Sequence, residues 1–121
     1  MGVRPRILAL CVLFAVLGCG PDNILLKYGF DTPSHHVENG NQLMNYGKFD
    51  AALQEYNRAI ELDPNYSPAY VGLGMVTSYR GDLEKGLVIM EKAREVARGE
   101  DEKKNVEAGF EALQTMRITK E

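Results

Sequence analysis

From Phe49 to Leu62 the apolar residues return at the spacing of a helical face. Phe49, Ala52, Leu53, Tyr56, Ala59, Ile60 and Leu62 share one side at 3.6 residues per turn, so this helix must lie against something. Pro64 stops it, having no N–H for the helical ladder, and Asp63 before it is pushed out of helical geometry. Upstream, Thr32 is placed to cap a helix with Pro33 at its first position; that helix runs to about Tyr46 and turns at Gly47. Downstream, Ser67-Pro68 opens a helix reaching Tyr79 or Arg80, and Gly81-Asp82 turns the chain. A fourth helix runs from Leu83 to about Arg98, with Gly99 ending it. A charged turn over Glu100–Lys104 then precedes a last helix. Val106, Phe110, Leu113 and Met116 make its apolar stripe, and Glu107, Glu111, Gln114 and Arg117 its other face.

Sliding the chain by 34 residues lays this pattern on itself. Val37/Val71, Gly40/Gly74, Gly47/Gly81, Leu53/Leu87, Ala59/Ala93 and Glu61/Glu95 are identical pairs, and Phe49/Leu83, Asp50/Glu84 and Arg58/Lys92 are conservative ones. A helix–turn–helix unit of that period resembles the tetratricopeptide (TPR) repeat. With Pro33 first, Gly40 takes the family's small-residue slot, and Phe49, Ala52, Tyr56, Ala59 and Pro64 take the aromatic, small, aromatic, small and proline slots. From Ser67, the residues Tyr70, Leu73, Gly74, Leu83, Gly86, Met90 and Ala93 do the same. His36 stands where Trp or Tyr is usual, Asn39 where Leu is, and Arg98 where the closing proline is. The resemblance implies an all-α fold: a short TPR-type α-solenoid of two helix–turn–helix repeats (33–66 and 67–100) and a C-terminal capping helix (101–121). The inner helices of the two units are expected to neighbour each other. Two repeats fall short of the three or so that usually stand alone, so the segments on either side should be structural, or self-association should make up the difference.

The beginning of the chain has another character. Arg4 and Arg6 precede an uninterrupted apolar run of eleven residues, Ile7 to Leu17. That is about half of the roughly 20 residues a membrane-spanning helix needs, so it suits the core of a signal peptide. The run closes in Val16-Leu17-Gly18-Cys19 and resembles a bacterial lipoprotein signal, which implies cleavage after residue 18 and lipid on Cys19. An ordinary secretory signal cut nearby, with Cys19 uninvolved, is the other reading. Two or three acyl chains, at about 0.8 kcal/mol per buried CH₂, would hold the protein to a membrane. Gly20 after the cysteine, by the same resemblance, favours the outer membrane facing the periplasm. In the segment 19–32, Ile24, Leu25, Leu26, Tyr28 and Phe30 are too apolar for a plain spacer. A short helix over Asp22–Tyr28 is expected to cover repeat one or to dip into the lipid headgroups.

Charge and cysteines narrow the functions. Loss of Arg4 and Arg6 from 14 basic residues leaves 12 against 17 acidic ones, a formal charge of −5. Such a domain is a poor match for nucleic acid or for an anionic lipid surface. With Cys11 in the signal and Cys19 lipidated, no thiol remains for a disulfide, a metal or catalysis. No phosphate-binding glycine loop, serine elbow or zinc-binding helix pair occurs, so neither an enzyme nor a cofactor is expected. His35-His36, with Asp31 and Glu38 near, is the single cluster of metal-ligand chemistry. Neighbours on a helix point about 100° apart, however, and His36 falls in a packing slot, so capping or packing is expected and metal: none.

The TPR resemblance places the partner-binding groove on the first helix of each unit, here at Val37, Asn41, Met44 and Asn45, then Val71, Met75 and Tyr79, with Ser34, Pro68 and Ser78 at the remaining positions. The Lys and Arg with which some TPR domains clamp an acidic C-terminal tail are missing, so that partner is rejected. The lining suits an apolar or amphipathic segment, with thioethers adapting to its shape and amides meeting its polar groups. Alternatively these side chains pack on the N-terminal segment or the last helix. The expected function is a membrane-anchored TPR lipoprotein acting as a protein–protein adaptor or assembly factor in the bacterial cell envelope. The alternative is a structural envelope lipoprotein that self-assembles as a homo-oligomer.

Overall fold

Caps and breakers set the helices where the chain is read for them. In the computed structural model, which describes residues 31–120, five α-helices form: α1 Pro33–Asn45, α2 Phe49–Leu62, α3 Ser67–Tyr79, α4 Leu83–Val96 and α5 Gly99–Lys120. No strand occurs among the described residues. The Thr32 hydroxyl accepts the His35 N–H at 3.3 Å, satisfying one of the donors a helix start leaves unpaired. Gly47 and Gly81 follow the ends of α1 and α3 with φ of 69° and 106°, the left-handed region that only glycine enters cheaply. Asp63, ahead of Pro64, is extended, and its carboxylate accepts the Asn65 N–H at 2.9 Å. The signal segment, Cys19 and the expected helix over Asp22–Tyr28 lie outside the described residues.

Two expectations are corrected. The fourth helix ends at Val96, and the expected turn over Glu100–Lys104 is helical, because α5 already begins at Gly99. Glu100, Asp101 and Glu102 fill its first turn, where acidic side chains meet the positive end of the helix dipole. The Glu102 carboxylate also accepts the Arg98 N–H, closing the start from outside. The second correction concerns stacking. The inner helices α2 and α4 are not among the closely packed pairs; α3 instead packs on both α1 and α2, and α5 on both α3 and α4.

The residues of α3 explain why it is central. It carries no Asp, Glu, Lys, Arg or His, and a helix apolar all round has to be buried. One side brings Val76 to Ala52 and Tyr56, with Leu73, Leu53 and Phe49 around them. The other brings Val71 to Met90, Ala93, Val106, Phe110 and Leu113, a core shared with α4 and α5. Its buried hydroxyls are satisfied: Ser67 donates to the Ala93 carbonyl at 3.0 Å and Ser78 to that of Gly74 at 2.9 Å. The first turn of α5 is wet and acidic, whereas Val106, Phe110 and Leu113 further along are buried, so this helix closes the array as a first helix of a third unit would.

Candidate binding groove

Tyr56 of α2 decides how the first hairpin meets the second. Its ring is fully buried, and it occupies space that side chains at Gly40 and Gly72 would need. A Cβ at Gly40 would fall 2.6 Å from Tyr56 Cε1, and one at Gly72 2.2 Å from the same atom. The two glycines therefore let α1 and α3 both close on the Cδ1–Cε1–Cζ side of one ring, and α1 and α3 become neighbours. The Tyr56 hydroxyl donates to Asn41 Oδ1 at 2.7 Å and lies 3.2 Å from Met44 Sδ. Burial pushes the phenol up to about 12, so it stays a neutral donor through the physiological range.

In front of that ring, α1 and α3 border a cavity of about 230 Å³. Val37, Asn41 and Met44 line it from α1, and Pro68, Val71, Gly72 and Met75 from α3. Among the described residues no charged one lines it. With its oxygen engaged by Tyr56, the exposed Asn41 still has two amide N–H donors to offer a peptide carbonyl. A second carboxamide, Asn105 of α5, stands at the cavity too. Nothing in the repeat pattern singles out Asn105. The signal that finds it is its place one residue before Val106, on the flank of the stripe by which α5 docks.

Five of the seven residues expected to form the groove thus share one cavity. Asn45 and Tyr79 do not line it. Asn45 is exposed at the last turn of α1, and Tyr79, half exposed at the end of α3, stacks on Phe49 with centroids 5.9 Å apart and planes 7° off parallel. Ser78 is buried and bonded to its own helix. Val71 is only 9 % exposed, because α5 lies on it, and Met75 packs against the same core. So α5 covers part of the surface that the second hairpin would otherwise present, and α1 holds the more open side.

The histidine pair resolves differently from its sequence neighbourhood. His36 Nε2 lies 2.8 Å from Asp31 Oδ1 and its Nδ1 lies 2.7 Å from Glu55 Oε2. Arg58 grips Asp31 through Nε at 3.2 Å and Nη2 at 2.6 Å, and reaches Glu61 at 3.1 Å. Glu38 is exposed and takes no part in these bonds; Glu55, remote in sequence, has its place. Arg58 and then His36 hold the Asp31 carboxyl down at about 2. Among the described residues no group of three or more His, Cys, Asp or Glu side chains is arranged to hold a metal ion. Nor is any helix there long and apolar enough to cross a membrane.

With this geometry in view, residues 40–77, from the middle of α1 to near the end of α3, match the TPR repeat family. Among curated proteins none matches the chain. The five stacked helices are consistent with a short all-α TPR solenoid, and the matched repeat supports a TPR protein. TPR repeats are in general non-enzymatic modules of protein–protein interaction, which suggests that role and a protein partner here.

Proposed function

We propose that this chain is a lipid-anchored adaptor or assembly factor of the bacterial cell envelope, which holds an apolar or amphipathic segment of another protein between α1 and α3. The observation that supports the partner's chemistry is the uncharged cavity of Val37, Met44, Val71 and Met75, edged by the carboxamides of Asn41 and Asn105. Apolar side chains would enter the cavity, and the amides would pair with backbone groups that entry strips of water. An acidic tail would find no cation there.

The anchor rests on the sequence alone. An apolar run of signal length closing in Gly18-Cys19 supports cleavage before Cys19, lipid on its sulfur, and an outer-membrane site facing the periplasm. Cys19→Ser is expected to release the protein into the soluble fraction; continued membrane association would contradict lipidation.

A photoreactive residue at the exposed position 41 tests the adaptor. In cells it is expected to crosslink one defined partner, and Val37→Asp in the same chain is expected to abolish that product by burying a charge in the cavity. Crosslinks to another copy of the chain alone would favour the self-assembling reading. Products indifferent to Val37→Asp would remove the cavity from the account.

A further inference from the structure

No residue of the cluster around His36 lines the cavity, and its geometry is unusual. Each ring nitrogen faces a carboxylate oxygen, at 2.8 Å from Asp31 and 2.7 Å from Glu55. Ionised carboxylates only accept hydrogen bonds, and a neutral imidazole carries one N–H. With the neutral ring, one nitrogen lone pair would confront an oxygen lone pair at bonding distance. Both contacts are satisfied together only by the imidazolium, with two N–H donors and a positive charge between two negative ones.

We propose that His36 is a pH-sensitive latch: as an imidazolium it pins the start of α1 and the residue leading into it onto α2, and on losing a proton it lets that end loosen.

The surrounding charges determine which bond yields. Asp31 keeps two bonds from Arg58 after the proton is lost, and Arg58 is itself steadied by Glu61. Glu55 keeps the Asn39 amide, at 3.4 Å, a longer and weaker bond than those from Arg58 to Asp31. The weak link is therefore the His36–Glu55 bond, which joins α1 to α2. His35 sets its ring edge-on to His36 at 6.2 Å. From the third packed element, α3, no acidic or basic side chain reaches the cluster, because α3 has none. Losing the proton leaves Asp31, Glu55 and Glu61 around Arg58, with one positive charge fewer in the cluster.

The second hairpin shows that the repeat does not need this device. At 34 residues on, His36 corresponds to Tyr70 and Glu55 to Ile89. Tyr70 makes a neutral bond, donating to the Pro64 carbonyl at 2.8 Å. The charged bridge belongs to the first hairpin, where the chain enters the array.

The sign follows from the direction of the shift. Burial lowers His36, but the bonds to Glu55 and Asp31 outweigh it and leave the group above 6.5. Its contribution is then complete below the unfolded value and disappears as pH rises through the raised one.

The test uses the full chain in detergent. Nitrogen-15 spectra of the imidazoles give the titration of His36, and hydrogen exchange, expressed as protection factors, gives the opening of each helix. The latch predicts a His36 midpoint above about 6.5, the value for an unperturbed histidine. It also predicts that protection in the first turns of α1 falls through the same pH range while that of α3 and α4 holds. Glu55→Gln, which keeps the shape and removes the charge, should move the His36 midpoint down. His36→Gln should leave protection in α1 independent of pH. A midpoint at or below the ordinary value, a midpoint unmoved by Glu55→Gln, or α1 protection flat through the titration would each overturn the latch. The two wild-type readings decide even if His36→Gln does not fold, and none of them depends on the groove having a partner.

Discussion

Where α3 crosses α4, backbone meets backbone; where α1 crosses α2, a ring fills the space instead. A Cβ at Gly74 would fall 2.9 Å from the Gly86 carbonyl oxygen, and one at Gly86 2.7 Å from that of Gly74 and closer still to the Ser78 hydroxyl. At Gly40, by contrast, the three nearest atoms all belong to the Tyr56 side chain. Thirty-four residues after Tyr56 comes Met90, equally buried, whose methyl would obstruct a Cβ at Gly109 of α5 at 2.8 Å. Each second helix thus sends one large side chain to the helix that follows: Tyr56 to Gly72, Met90 to Gly109. The residues chosen differ in a way that bears on function. Tyr56 has a polar end that fixes the Asn41 amide at the cavity rim, whereas Met90 is wholly apolar and serves a core closed by α5. One copy of the unit is built to present a surface and the other to finish the array.

Tyr56→Ala strikes hardest at that contrast. It empties the wedge between α1 and α3, and a loss of about 3–5 kcal/mol is expected, as for other buried aromatics cut to alanine. Chemical denaturation measures it; a loss no greater than that of an exposed residue would mean that the hairpins are not joined there. Gly86→Ala comes next, since the new methyl meets a backbone carbonyl and a buried hydroxyl, and about 1–3 kcal/mol is expected. Gly40→Ala drives its methyl into the buried Tyr56 ring, and about 1–3 kcal/mol is expected there as well; an unchanged stability would contradict the ring-filled crossing of α1 and α2. Ala52→Leu overfills the fully buried position equivalent to Gly86, again at about 1–3 kcal/mol, and an unchanged melting temperature would show the helix register to be wrong. Thr32→Ala removes only the cap of α1, at about 1 kcal/mol. Hydrogen exchange should localise that loss to α1, and a loss spread evenly over all helices would argue against it.

What was legible in the sequence is what local chemistry dictates. Prolines, glycines and caps marked the turns, and a period of 3.6 marked the faces, so α1, α2 and α3 lie where those signals put them. The end of α4 was misplaced because Gly99 reads equally as the stop of one helix and the start of the next, and the acidic run behind it favours the second. The stacking of α3 between α1 and α2 was not legible, since the shape of Tyr56 against Gly72 belongs to packing across units and has no period. His36 and Glu55 are 19 residues apart, and the repeat itself offers no such pair, so only the fold brings them together. The seven groove positions came from the family pattern, and the alternative that such side chains pack on the last helix describes Val71 and Met75; Asn105 at the cavity had no signal in that pattern.

The central claim is an uncharged cavity between α1 and α3 that takes an apolar segment, and methyl NMR reads it directly. With the methionine methyls of the full chain labelled with carbon-13, an uncharged leucine-rich amphipathic peptide is added, followed in a separate sample by an acidic peptide of equal length. The account predicts shifts at Met44 and Met75 with the first peptide, none with the second, and a still Met90. Silence at Met44 and Met75, or equal shifts with the acidic peptide, would contradict it.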